Sequence, residues 1–150
     1  MKNQSYEVSV TWANDLVGWA EARGLREPIK FSAPPEFGGE RGLWSPELLL
    51  VLAASSCFLS TLLALAEHNR LPLVGYTAKA EGQLERVPGQ GYRFTELVLR
   101  PLITLEKESD LPLAHRVLDK AERNCIVANT LSVPVRVEPH VEIVAPAPMG

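Results

Sequence analysis

From Leu48 to Ala66 the chain runs nineteen residues without a charged side chain, LLLVLAASSCFLSTLLALA. That is long enough for a helix to cross a bilayer, so the stretch is either a membrane span or the centre of a protein core. Its middle argues for the core, because Ser55, Ser56, Cys57, Ser60 and Thr61 cluster there. Its flanks agree: Glu47 precedes it, and Glu67, His68, Asn69 and Arg70 follow it without a basic cluster. An all-round apolar helix is what a protein centre requires, and no membrane association is expected.

Around this helix the pattern alternates. Tyr6 to Trp12 reads as a strand, paired across the Asn14-Asp15 turn with Val17 to Ala22, and Pro28 to Phe31 follows. Ser45 is a good N-cap with Pro46 at the first helical position, and the apolar helix ends near Asn69 before Pro72. Val74 to Val87 and Tyr92 to Leu105 form a hairpin across Pro88-Gly89-Gln90-Gly91, with Pro101 expected to mark an edge or a bend. Asp110 caps a second helix whose apolar positions Leu113, Ala114, Val117, Leu118, Ala121 and Cys125 follow helical spacing. Val133 to Val144 gives a last strand before a loose APAPMG tail. The order predicts an α+β chain with antiparallel sheet, and 150 residues fit one domain, residues 1–150.

With 18 acids against 15 bases and no Lys/Arg block, a nucleic-acid partner is not expected. MKNQSYEVSVTW has no apolar segment of a secretory signal, so a cytoplasmic location is expected. Two cysteines are too few for a secreted disulfide scaffold. In a reducing compartment Cys57 and Cys125 are either two inert core residues or a redox couple. A metal site is not expected, since there is no C-x-x-C and His68, His115 and His140 are scattered.

Reactivity needs a thiolate, and a thiolate needs a positive neighbour or a helix N-terminus. The hydroxyls of Ser55 and Ser56 compete for backbone groups, so a helix break there would put Cys57 in a first turn. Only such a break would let Glu47 approach the thiol. Ten residues of unbroken helix separate the two by about 15 Å. Otherwise Glu47 is an acid complementing the helix dipole.

WSPELLLVLAASSCFLSTLLALAEHNRLPL, then AERNCIVANTLSVPVRVEP, resembles the OsmC/Ohr family of organic hydroperoxide reductases, as does the upstream KFSAPPEFGG. The resemblance covers roughly residues 28 to 138. It implies an OsmC-like fold: antiparallel sheets around central apolar helices in an intertwined homodimer. It implies that Cys57 attacks the peroxide and becomes a sulfenic acid, and that Cys125 resolves it as a Cys57–Cys125 disulfide. An external dithiol of the lipoylated-protein type then restores the thiols, and no bound cofactor is needed. Glu47 matches the glutamate that orients an arginine against the thiolate, and the apolar surroundings suit alkyl or fatty-acyl hydroperoxides.

Two positions depart from the family. Its arginine comes from the first hairpin, where this chain has TWANDLVGWAEARG with Leu16 near the equivalent position. Arg23 is the nearest candidate, with Arg26 and Arg41 as further alternatives. Ile126 stands where many members have proline after the resolving cysteine. Beside a thiol-dependent peroxidase, the missing arginine leaves open a low-turnover dimer that binds a hydrophobic ligand or senses oxidants.

Overall fold

The computed structural model describes residues 3–144, so the APAPMG tail lies outside the described residues. The chain divides into two units, Met1–Leu50 and Val51–Gly150.

In the first unit, β1 (Val8–Asn14), β2 (Val17–Ala22) and β3 (Ile29–Ser32) form an antiparallel sheet in that order. Asp15 takes the left-handed conformation (φ 47°) that the tight β1–β2 connection needs, and Trp12 Nε1–H donates to its carbonyl at 3.0 Å. Register places Val8, Val10 and Trp12 opposite Ala22, Ala20 and Gly18, giving one apolar face. Gly18 is needed there, because a Cβ would come within 2.7 Å of the Phe31 ring. Much of this face is open: Val8 is 72% and Trp12 79% exposed.

Helix α1 (Pro46–His68) begins as the sequence predicts, with the Ser45 hydroxyl accepting from the Leu48 amide at 3.1 Å. It stops because Arg70 turns left-handed (φ 56°). The amides of Arg70 and Leu71 then reach back to the carbonyls of Glu67 and Ala66, closing a Schellman-type end. The expected break at Ser55-Ser56 is absent. α1 is continuous over 23 residues. The Ser56 hydroxyl donates to the Leu52 carbonyl at 2.8 Å, so it back-bonds within the helix and frees no backbone group. Nor is the helix covered all round. Ala54, Phe58, Leu62 and Ala66 form one buried face, whereas Leu52 and Leu63 are 43% and 50% exposed. By length and composition α1 passes as a membrane-spanning helix, but that one buried face packs in a core.

In the second unit, β4 (Gly75–Val87) and β5 (Gly91–Leu105) form the long hairpin, with Gly89 and Gly91 both at φ 77° in its turn. The last strand divides into β6 (Val135–Val137) and β7 (His140–Ile143). Both pair with β5 in parallel, so this sheet is mixed where antiparallel pairing was expected. Pro101 is not on an outer strand, since β5 lies between β4 and the β6 and β7 segments, but it falls at a gap in the pairing. It sits buried within β5, between Leu97–Leu99, which pair with β6, and Leu102–Leu105, which pair with β7. Neither parallel ladder registers a partner at that residue, so its missing N–H goes unneeded there.

The second helix is also divided. α2 (Leu111–Asn124) ends before Cys125, whose extended conformation (φ −68°, ψ 109°) separates it from α3 (Ile126–Thr130). Asp110 occupies the N-cap position without a side-chain capping bond. Ala114, Val117, Leu118 and Ala121 of α2 join Phe58 and Leu62 of α1 and Leu97, Leu99, Ile103 and Leu105 of β5 in one core. Each large side chain buried there contributes about 1.5–3 kcal/mol.

Candidate active site

The α+β architecture brings the two cysteines together. Cys57 lies in mid-α1, partly buried, and Cys125 lies at the α2–α3 junction, 1% exposed. Helical spacing explains the meeting. Ala54, one turn before Cys57, offers its carbonyl to the Cys125 thiol at a sulfur–oxygen distance of 3.9 Å. Both residues are free thiols, and each side chain acts on the pKa of the other.

Their electrostatics diverge. Burial works against a Cys57 thiolate. The Val127 amide, the Cys125 thiol, the Ile126 amide and the Thr61 hydroxyl outweigh it by bonding to the sulfur, and hold the Cys57 pKa below its ordinary value. Burial pushes the Cys125 thiol up, and the neighbouring Cys57 adds to the rise against the Ala128 and Val127 amides. The two shifts run in opposite directions, so Cys57 is the thiol that ionises first.

The helix-terminus chemistry expected for Cys57 is present, but it comes from another element. The first amides of α3 have no partners inside their own helix, and two of them donate to the sulfur. Ile126, Val127 and Thr61 were missed as contributors. Their role depends on how α3 docks on α1, and helical spacing running through to Cys125 gives no sign that the backbone turns there.

Glu47 and Arg23, the other two candidates, belong to the first unit. Glu47 occupies the first turn of α1, ten residues and about 15 Å of continuous helix from Cys57, so the fold-back towards the thiol does not occur within the helix. Its Oε1 is buried and has no hydrogen-bond partner among the described residues. Arg23 is exposed just beyond β2, in a turn closed by the Leu25 amide on the Ala22 carbonyl at 3.1 Å. It does not satisfy that Glu47 oxygen. Among the described residues, no group of three His, Cys, Asp or Glu side chains is arranged to hold a metal.

Residues 38–140 match the family model described as OsmC-like protein. The chain belongs to the OsmC-like family. A Bacillus subtilis (strain 168) relative named "Uncharacterized protein YmaD" is 26% identical over 136 residues, covering 87% of this chain and 89% of that protein. Among solved structures, an OsmC-like protein of unknown function from Vibrio cholerae O1 biovar eltor str. N16961 superposes with a TM-score of 0.81. It is 24% identical, with 91% of this chain and 99% of that one covered. A Legionella pneumophila structure described as an organic hydroperoxide resistance protein OsmC gives a TM-score of 0.74 at 22% identity, with 95% and 100% covered. At these identities the structures establish the OsmC-like fold.

Proposed function

We propose that this OsmC-like chain is a thiol-dependent peroxidase for organic hydroperoxides. The observation that carries the reading is the pairing of a partly exposed Cys57 of lowered pKa with a buried Cys125 of raised pKa that bonds to the same turn of α1. The Cys57 thiolate attacks the distal peroxide oxygen. The O–O bond breaks, the sulfur takes that oxygen as a sulfenic acid, and the alkoxide leaves as the alcohol after taking a proton. Cys125 then attacks the sulfenic sulfur, forming the Cys57–Cys125 disulfide and releasing water. A dithiol supplies the two electrons and two protons that restore both thiols.

The name of the Legionella relative supports the substrate class. The open apolar face of the first sheet and the exposed leucines of α1 support a homodimer, in which a second copy covers surface a lone chain leaves wet. In that assembly Glu47 acts as an orienting carboxylate, with Arg23 as the arginine of this chain proposed to serve it. A cytoplasmic location supplies the reductant.

The test is consumption of cumene hydroperoxide with dihydrolipoamide as reductant. Turnover is expected for the native chain and background for Cys57→Ser, with a Cys57–Cys125 crosslink in non-reducing peptide maps of the native protein after peroxide. Equal rates for the two proteins sink the reading.

A second reading, a low-turnover dimer that binds a hydrophobic ligand or senses oxidants, is favoured by one observation. Leu16 contributes to an apolar groove of about 330 Å³ with Val10, Trp12, Val17, Gly18 and Phe31. Native mass spectrometry of the purified protein checks it by looking for a retained lipid-like molecule.

A further inference from the structure

α1 carries three hydroxyls that back-bond to carbonyls, and one differs from the others. Ser56 donates to Leu52 at 2.8 Å and Ser60 to Ser56 at 3.1 Å, both on the exposed side of the helix. Thr61 is partly buried and donates to the carbonyl of Cys57 itself, at 2.8 Å. Four residues on, it is the neighbour of the Cys57 side chain on the same helix face, and its hydroxyl is among the groups that lower the Cys57 pKa. We propose that the Thr61 hydroxyl is a positioning donor for the Cys57 thiolate, moving its single proton from the Cys57 carbonyl to the Cys57 sulfur when the thiol ionises. The inference rests on Cys57 being the reacting thiol.

A hydroxyl has one proton to give, so it serves either the carbonyl or the sulfur. A neutral thiol is a weak acceptor and the carbonyl wins, whereas an ionised sulfur accepts a charge-assisted bond and reverses the order. The exchange also leaves nothing orphaned, because the Cys57 carbonyl keeps the Thr61 backbone N–H of the continuous helix. Threonine suits the task, since in a helix its χ1 divides between two rotamers.

The groups acting on Cys57 are the Cys125 thiol, the Ile126 and Val127 amides and this hydroxyl, and no side-chain charge is among them. Each neutral donor then carries a visible share of the thiolate's stability.

The experiment is the pH–rate profile of iodoacetamide alkylation on the reduced full-length protein, followed by peptide mass at Cys57. It uses no peroxide, so it stands or fails independently of turnover. Thr61→Val keeps the shape and deletes the hydroxyl, and Thr61→Ser keeps the hydroxyl. Below the native midpoint, Thr61→Val is expected to alkylate about threefold to tenfold more slowly, with its midpoint moved up and its high-pH plateau unchanged. Thr61→Ser is expected to restore the native profile. Thermal melts of both variants check folding. A Thr61→Val profile that superposes on the native one overturns the proposal, whatever its melting temperature. So does a serine variant that behaves like valine, since the lost methyl would then be responsible.

Discussion

Cys57 and Cys125 are the same residue type on one apolar contact, yet the fold treats them in opposite ways. Cys57 sits inside a regular helix, where its own backbone is fully engaged, and receives donors from a different element. Cys125 sits where the backbone leaves the helix, and its side chain is sealed in the core. A thiol is thus activated by the N–H groups that other segments bring to it, and quieted by burial. Burial raises the pKa of both thiols, and the groups around each decide the net direction.

The sharpest way to break the contrast is to exchange which cysteine remains. Cys57→Ser is expected to reduce peroxide consumption to background. Cys125→Ser is expected to lose steady turnover but still form one sulfenic acid per chain, trapped by dimedone and seen by mass spectrometry. Dimedone adducts equally absent from both variants would erase the distinction.

A smaller effect isolates the amides. Ile126→Pro deletes one donor to Cys57 at the first position of α3, where proline is well tolerated. The extended conformation of Cys125 already suits a following proline. The lowered Cys57 pKa means its thiolate persists below the usual cysteine range and is lost as pH falls through that midpoint. Removing a donor moves the midpoint up, so alkylation below it should slow about threefold to tenfold, while Ile126→Ala leaves it unchanged.

The smallest effect is expected at Ser56, whose hydroxyl faces away from the pair. Ser56→Ala should change stability by no more than about 0.5 kcal/mol in a urea titration and leave the Cys57 alkylation profile in place. A displaced profile there would show that the serines contribute to activation after all.

Much of this was legible in the chain itself. Ser45-Pro46 announced the start of α1 because capping is local chemistry, and Pro88 to Gly91 announced the hairpin for the same reason. The two cysteines stood out in the chain, and the structure places Cys125 against the Ala54 carbonyl one turn before Cys57. The rest depended on distance in space. Ser55-Ser56 read as a break, yet a hydroxyl that can compete for a backbone group can equally be satisfied one turn back, and sequence does not choose. Alternation through Val133, Val135 and Val137 announced a strand but carries no information on its direction, so the parallel pairing with β5 was hidden. The donors from α3 were hidden for a third reason: any residue but proline has an amide, and only docking aims it.

Pro101 has a consequence for how the chain assembles. It interrupts the parallel pairing without changing its register, and the partners on both sides lie far along the chain: Leu97 meets Val135 and Leu102 meets His140, each 38 residues on. The β4–β5 hairpin closes locally, from Val87 opposite Gly91 outward. Closing long loops costs entropy before any contact rewards it, so the two short parallel strands carry a larger closure cost than the hairpin. α2, Cys125 and α3 lie within that loop, so bringing Cys125 to α1 carries the same closure cost.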